Sequence, residues 1–282
     1  MDELKGGVAV VTGGGSGIGR SIVLAMAQRG VNVVVADIQE GPAGKVAEEA
    51  RAAGVRALAV RCDVAQHAEM LALAERAYSE FGSVNILCNN AGISWRPYRS
   101  ILDATLDDWR FMLGINLWGI VHGLDVFLPR MRKQTGLRHV VNTASLGGLV
   151  PLEGHCIYSS SKAAVIGLSE AIATELAPHG IGVTILCPGP IPTNLGDSTL
   201  RVRGEVPEEI RRQFEPVATP TMERIAAFTL PSVDVVGAMV CEAVLSRRLY
   251  LHTTTLPADL VADRMHIWFG AQTLTPTKPG PG

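Results

Sequence analysis

The 282-residue sequence lacks the features typical of nucleic-acid-binding and membrane-spanning proteins. Its formal net charge is −2 and its Lys and Arg residues form no cluster, so the charge pattern favours neither nucleic acid nor an anionic membrane as a partner. We find no apolar run that predicts a membrane span, and the acidic start MDELKGG is unlike a signal peptide. We therefore expect a cytoplasmic protein that binds a small partner of little charge.

Cysteine is scarce as well, and its spacing excludes two further classes. The five cysteines show neither CxxC nor zinc-type spacing, and four lie in or beside apolar segments where a reduced thiol packs as a small hydrophobe. We expect no disulfide framework and no metal site. Internal repeats are absent too, and only the Pro- and Gly-containing tail at 271–282 is predicted to be flexible.

Short β-branched runs alternate with longer stretches of helical periodicity. The predicted strands are 8–11, 31–36, 55–60, 84–88, 139–143, 181–187 and 249–253, and the predicted helices are 17–29, 43–53, 67–81, 105–133, 158–177 and 233–246. Because the strands are apolar at nearly every position, both of their faces must be buried. This predicts a single α/β domain over 1–270, a doubly wound parallel seven-stranded sheet of the Rossmann type with helices on both faces and a substrate-loop segment at 190–230.

Such a sheet binds its ligand outside the carboxyl ends of its strands, and a glycine-rich turn follows the first strand. The turn has the spacing Gly13-xxx-Gly17-x-Gly19 and not the generic GxGxxG. Glycines allow close backbone approach, and the helix N-terminus that follows offers free N–H groups to a pyrophosphate. Taken by itself, the turn could also be ordinary loop chemistry.

Asp37 ends the second strand, eighteen residues beyond Gly19. A carboxylate there can accept hydrogen bonds from both hydroxyls of an adenine ribose and would repel a 2′-phosphate, which favours NAD over NADP. The uncharged residues Ser16 and Ile38 also favour NAD, since an NADP enzyme usually carries a cation near these positions. Arg20 argues for NADP, because an arginine could pair with the 2′-phosphate, although we expect it on the solvent side of the first helix.

Tyr158 and Lys162 stand four residues apart at the head of a predicted helix, so their side chains must point the same way. Taken by itself, the pair is better explained as an exposed tyrosine beside a solvated lysine. However, polar or turn residues follow six successive predicted strands, and this repetition makes a purely structural explanation hard to maintain.

Together, the motifs TGGGSGIG, NNAG, Asn116 in GIN, Ser145, YxxxK and PG-x-I-x-T resemble the short-chain dehydrogenase/reductase family over about residues 5–195. The resemblance implies a catalytic tetrad of Asn116, Ser145, Tyr158 and Lys162. It also implies NAD as cofactor, bound by Gly13, Gly15, Ser16, Gly17, Ile18, Gly19, Asp37, Ile38, Cys62, Asp63, Val64, Asn90, Ala91, Gly92, Tyr158, Lys162, Pro188, Gly189, Ile191 and Thr193.

The implied reaction is hydride transfer between NAD(H) and a secondary alcohol or ketone. A phenol is a poor base near neutral pH, so Tyr158 needs a nearby cation, and both Lys162 and the nicotinium ring favour its phenolate form. Ser145 would hold the substrate oxygen against the Tyr158 hydroxyl. By family analogy Asn116 keeps a relay to Lys162, and Thr193 holds the nicotinamide carboxamide.

The expected substrate is a small hydrophobic alcohol or ketone, because most positions next to the cofactor residues are apolar. The candidate substrate residues are Ser94, Trp95, Leu146, Leu152 and His155, although His155 could be a plain loop residue. The wide apolar surface of the helix at 158–177 predicts a homodimer or homotetramer. Two alternatives stay open: an NAD-binding regulator without turnover, and an enzyme that works physiologically as a ketone reductase.

Overall fold

Short parallel strands form the centre of the fold. A computed structural model describes residues 3–94, 101–102, 104–150, 152–191, 193, 195–204 and 231–254. Its strands are β1 Val8–Thr12, β2 Asn32–Asp37, β3 Ala57–Arg61, β4 Ile86–Asn89, β5 Arg138–Thr143, β6 Ile181–Cys187 and β7 Tyr250–His252. Each lies within two residues of its predicted bounds, because the β-branched runs are long enough to locate a strand but not its last hydrogen bond.

The strands pair in the order β3-β2-β1-β4-β5-β6-β7, and all six pairings are parallel. The predicted doubly wound seven-stranded sheet is therefore confirmed. The order reverses between β1 and β4, where the crossovers on the two sides run in opposite directions. A crevice must open at that point, outside the carboxyl ends of these strands.

Helices cover both faces of the sheet, as predicted. They are α1 Gly17–Gln28, α2 Glu40–Ala52, α3 His67–Phe81, α4 Leu106–Leu113, α5 Gly119–Met131, α6 Leu146–Leu149, α7 Cys156–Leu176, α8 Leu195–Arg203 and α9 Val233–Leu245. One apolar layer joins α3, α5 and α7 to the sheet, and the other joins α1, α2 and α9 to the opposite face. Burial of both faces explains why the strands are apolar throughout.

The predicted helix at 105–133 is continuous but not uniform. Residues Gly114–Trp118 form a π-helical turn between α4 and α5, a local widening that often marks a functional site. By length and composition alone, Leu106–Met131 could cross a membrane. Its buried residues Met112, Ile120 and Phe127 belong to the apolar core beside the sheet, and this packing accounts for its hydropathy.

Other expectations concern the cysteines, the domain bounds and assembly. All five cysteines are free, and four are buried, as expected of small apolar side chains.

The domain bounds 1–270 and the segment 190–230 stay predictions, and the tail at 271–282 lies outside the described residues. Assembly into a homodimer or homotetramer also stays a prediction; in the single chain Ala164, Leu168 and Ile172 of α7 are partly exposed.

Candidate active site

A cleft of about 420 Å³ opens at the carboxyl ends of the strands. Many of the residues that line it come from the segments that directly follow β1, β2, β3, β4, β5 and β6, and others come from helices α7 and α8. The cleft therefore occupies the crevice where the strand order reverses. Its lining brings together residues that are more than 150 positions apart in sequence.

The glycine-rich turn forms one wall of this cleft, and its glycines are required by close packing. A Cβ on Gly13 would lie 2.9 Å from the Cα of Ala91, and one on Gly19 would overlap the carbonyl of Gly13. Gly17 adopts a φ of +52°, a conformation that disfavours side chains. The turn therefore holds its backbone close to the loop after β4 and leaves the start of α1 open.

Thr12 and Asn90 join the two loops. The hydroxyl oxygen of Thr12 accepts hydrogen bonds from the backbone N–H groups of Asn90, at 3.0 Å, and Ala91, at 3.1 Å. In return, Nδ2 of Asn90 donates to the carbonyl of Thr12 at 3.0 Å. These bonds fix the position of the NNAG loop relative to the glycine-rich turn.

Asp37 presents a fixed carboxylate at one end of the cleft. Its Oδ2 accepts a hydrogen bond from Gly15 N at 3.0 Å, and its Oδ1 accepts one from Gln39 N at 2.9 Å. Arg20, the residue that argued for NADP, forms an ion pair with Glu49 and is not among the residues that line the cleft. The wall near Asp37 is consequently acidic, and the nearest turn of α1 offers the cleft no cation.

The described residues predicted to bind cofactor line this one cleft, with a single exception. Gly15 lies behind the wall, where a Cβ would come within 2.9 Å of the Asp37 carboxylate. The others are Gly13, Ser16, Gly17, Ile18, Gly19, Asp37, Ile38, Cys62, Asp63, Val64, Asn90, Ala91, Gly92, Tyr158, Lys162, Pro188, Gly189, Ile191 and Thr193. The structure thus brings together all the predicted cofactor residues except Gly15 around one volume.

Ser145 stands between β5 and α6, and the end of β6 fixes its backbone. Ala144 N donates to the carbonyl of Leu186 at 2.8 Å, and Leu146 N donates to that of Pro188 at 2.9 Å. The Ser145 side chain caps α6 by accepting a hydrogen bond from Gly147 N at 3.0 Å. Its hydroxyl hydrogen is not used by this cap and can be donated to a ligand in the cleft.

Tyr158 and Lys162 lie on the same face of α7 and both line the cleft. Lys162 is only 4% exposed, and its Nζ donates to the carbonyl of Thr143 at 2.9 Å and lies 5.9 Å from the centre of the Tyr158 ring. Burial lowers the pKa of Lys162 to about 8. The ammonium is therefore still mostly protonated at pH 7, in a site where little water screens its charge.

Asn116 lies in the π-helical turn and is fully buried behind the cleft. Its Oδ1 accepts from Ile93 N at 2.9 Å, and its Nδ2 donates to the carbonyl of Ile93 at 3.0 Å and to Ser161 Oγ at 3.1 Å. A Cβ on Gly92 would lie 3.2 Å from Asn116 Oδ1 and 3.4 Å from Lys162 Nζ. Asn116 and Lys162 thus both approach the space beside Gly92.

Four of the five candidate substrate residues line the far end of the cleft. They are Ser94, Leu146, Leu152 and His155, and Trp95 lies outside the described residues. His155 forms a hydrogen bond between its Nδ1 and the carbonyl of Glu153 at 2.9 Å, and its ring meets that of Tyr158 edge to face. Helix α8, which begins beyond Thr193, closes this end with Leu195, Ser198 and Val202.

Some contributors to the cleft were not predicted. Ile93, Ile115 and Thr143 line it, and Thr12 joins its two loops. Thr143 acts through its backbone carbonyl, which has no side-chain signature. Ile115 lies beside Asn116, and Thr12 directly follows the first predicted strand. These positions were signals that could have identified the two residues.

Comparisons with known proteins agree with this geometry. Residues 7–202, well over half of the chain, match the family model described as short chain dehydrogenase. The chain belongs to the short-chain dehydrogenase family. The predicted resemblance is therefore confirmed, and the protein is an oxidoreductase of that family.

This short-chain dehydrogenase is similar to several curated proteins and solved structures. It is 38% identical to the cyclohexanol dehydrogenase of Acinetobacter sp. strain SE19 over 67% of this chain and 74% of that one. It is 35% identical to oxidoreductase UcpA of Salmonella typhimurium over 71% and 75% of the two chains. The crystal structure of a short chain dehydrogenase/reductase from Burkholderia phymatum in complex with NAD matches it over 100% of both chains, with 34% identity and a TM-score of 0.82.

Proposed function

We propose that this protein transfers a hydride between NAD(H) and a small hydrophobic secondary alcohol or ketone, with Tyr158 as the general base or acid. One observation carries the proposal. The same cleft that has a glycine-rich turn and a fixed carboxylate at one end has Ser145, Tyr158 and Lys162 converging farther along it. A cofactor and a substrate could thus meet within a single volume.

The residues of the cleft fit a dinucleotide. Gly13 and Gly19 let the glycine-rich turn pack closely on itself and on the loop after β4, and the start of α1 offers N–H groups to a pyrophosphate. NAD is favoured over NADP because the Asp37 carboxylate is held in place by two backbone donors and Arg20 is engaged with Glu49. The NAD complex of the Burkholderia phymatum relative supports this choice.

When bound, the cofactor accepts or donates the hydride, and the protein handles the proton. Tyr158 would take the proton of the substrate hydroxyl in the oxidation and return it in the reduction. The Lys162 ammonium stabilises the phenolate that this requires, and the bond from its Nζ to Thr143 O holds it there. Ser145 would donate a hydrogen bond to the substrate oxygen and so align it with Tyr158.

The substrate is proposed to be uncharged and largely apolar. The described lining of the substrate end is made of Leu, Ile, Val and Gly with a few hydroxyl groups and one histidine. Burial of apolar ligand surface would provide most of the affinity, and the hydroxyls would orient the ligand. The similarity to a cyclohexanol dehydrogenase supports an alicyclic secondary alcohol as one member of this class.

The proposal is tested by NADH formation with purified protein and a panel of aliphatic, alicyclic, aromatic and steroid secondary alcohols. Tyr158→Phe should lower kcat by about 10²-fold or more, since it removes the general base without changing the shape of the cleft. Tyr78→Phe is the matched control, because the Tyr78 hydroxyl faces the Phe127 carbonyl away from the cleft.

The outcomes separate the enzyme from the regulator. Turnover by wild type and by Tyr78→Phe, lost in Tyr158→Phe, supports the proposal. Binding of NADH without oxidation of any alcohol, or reduction of any matching ketone, would instead favour a regulatory protein. Turnover that survives in Tyr158→Phe would show that another group moves the proton.

A further inference from the structure

Helix α8 is attached to α4 by an ion pair that sequence analysis did not identify. Arg203, in the last turn of α8, pairs through Nη2 with Oδ1 of Asp108 in α4. The Asp108 side chain is fully buried and that of Arg203 is 23% exposed. The two residues are 95 positions apart in sequence, so the pair joins two separate parts of the fold.

The two oxygens of the Asp108 carboxylate have different partners. Oδ2 caps the start of α4 by accepting hydrogen bonds from Thr105 N at 2.9 Å and from Thr105 Oγ1 at 2.8 Å. Together with the bond from Asp108 N to the Thr105 hydroxyl, these complete a capping box. Since Oδ2 already serves the cap, the contact between Oδ1 and Arg203 is not needed to begin α4.

Two further contacts reinforce this attachment. The guanidinium of Arg203 lies 5.4 Å from the ring centre of Phe111, one turn along α4 from Asp108, in a cation–π arrangement. Thr199, which is buried in the middle of α8, accepts a hydrogen bond from Ser94 N at 3.0 Å. Helix α8 is thus held near its end by α4 and at its centre by the loop after β4.

The position of α8 connects this attachment to the cleft. Leu195, Gly196, Ser198 and Val202 of α8 line the cleft together with the candidate substrate residues. A buried carboxylate is stable only when it is paired, because an uncompensated charge is costly away from water. Loss of Arg203 would therefore weaken the attachment of α8 and remove a charged partner from the buried Asp108 carboxylate.

We propose that the Asp108–Arg203 ion pair fastens α8 over the substrate end of the cleft and positions the α8 side chains that contact the substrate. Asp108 and Arg203 are positioning residues, since neither lines the cleft. The part of this inference that concerns substrate rests on the proposed function. The part that concerns α8 does not, because the attachment can be measured in the protein alone.

The first test is amide hydrogen exchange in the full-length protein. In Arg203→Gln, the amides of α8 should exchange at least about tenfold faster than in wild type, because the helix opens more often once the buried pair is broken. Arg201→Gln is the matched control: Arg201 lies on the same helix, is exposed and contacts only Ser198, at 3.4 Å, in the described hydrogen bonds. Equal exchange rates in the two variants would overturn the proposal.

A second variant pair separates the attachment from the helix cap. Asp108→Asn keeps an oxygen for Thr105 but loses the ion pair, whereas Asp107→Asn changes an exposed neighbour that pairs with Arg110 at 2.8 Å. The proposal predicts faster α8 exchange in the first variant and unchanged exchange in the second. Combining Asp108→Asn with Arg203→Gln should add little to either single change, since both break one interaction. Fully additive effects of the two substitutions on α8 exchange would contradict the proposal.

The second test measures whether the substitution affects KM for the alcohol and leaves the binding of NADH unchanged. With an alcohol that the wild type oxidises, Arg203→Gln should raise KM for the alcohol at least about fivefold, while the dissociation constant for NADH stays within about twofold. The reason is that none of the α8 residues that line the cleft is among the predicted cofactor residues. Faster exchange with an unchanged KM would overturn the positioning role. If no alcohol is oxidised, the proposed function fails, and the exchange experiment still decides whether the ion pair holds α8.

Discussion

At the scale of single residues, Lys162 shows how the proposed chemistry conflicts with stability. Its burial lowers its pKa from 10.5 to about 8, so between these pH values the unfolded chain binds more protons than the folded one. Stability should therefore rise with pH across this window. Below pH 8 the buried charge costs on the order of 3 kcal/mol, a cost that an apolar side chain would avoid.

We predict that Lys162→Met is more stable than wild type at pH 7, by about 1–3 kcal/mol, and that it has lost turnover. The gain should shrink toward pH 10, where the wild-type amine is neutral. Urea unfolding at the two pH values measures this difference in the free energy of unfolding. Lys133→Met is the control, because Lys133 is exposed. A variant less stable than wild type at pH 7 would show that the hydrogen bond to Thr143 outweighs the cost of burial.

The sequence could predict Tyr158 and Lys162 because a spacing of four residues dictates a shared helix face. It could not predict what holds Lys162. The partner is the carbonyl of Thr143, and every residue carries a carbonyl. Asp108 and Arg203 were missed for a related reason: a charged residue in an amphipathic helix usually faces water, and nothing local signals that two of them meet across the fold.

At the scale of elements, the packing of β5 on β6 contains an unusual pair. His139 is buried in β5, where its Nε2 lies 2.8 Å from Thr184 Oγ1, and burial lowers the pKa of this histidine to about 3. Gly182 is its register partner in β6, and a Cβ there would overlap the imidazole. Position 182 therefore favours glycine, because the imidazole of His139 fills the space that a side chain there would need.

Gly182→Ala should consequently destabilise the protein by about 1–3 kcal/mol, the usual cost of overpacking a core. Gly44→Ala is the control, because a Cβ at this position in α2 meets open space and alanine is the better helix former. Thermal unfolding of the two variants compares them. Equal melting temperatures would mean that the His139 ring can move aside without cost.

Element boundaries mark the limits of sequence analysis at this scale. The strands and long helices were predicted to within a few residues, because the hydrophobic periodicity is strong. The π-helical turn at Gly114–Trp118 was not predicted, since it changes the hydrogen-bond pattern but not the apolar stripe. Helix α8 was also missed: its sequence LGDSTLRVR is short and mostly polar, and it is held by contacts with α4 and the loop after β4.

At the scale of the whole molecule, the parallel sheet itself creates the proposed site. Seven strands with helices on both faces leave one crevice where the order reverses, and residues predicted from six separate strand ends line it. This part was predictable because the location depends on topology and not on side-chain detail. The identity of the substrate was not, since the shape of the substrate end depends on how α8 and its neighbours pack.

The measurement that tests the central claim most directly is the transfer of deuterium. A secondary alcohol from the panel, deuterated at its carbinol carbon, is incubated with the protein and NAD, and the NADH formed is analysed by mass spectrometry. We predict NADH one mass unit heavier than with the unlabelled alcohol, formed by wild type and Tyr78→Phe but not by Tyr158→Phe. Unlabelled NADH, or bound NAD that stays oxidised with every alcohol, would contradict direct hydride transfer in this cleft.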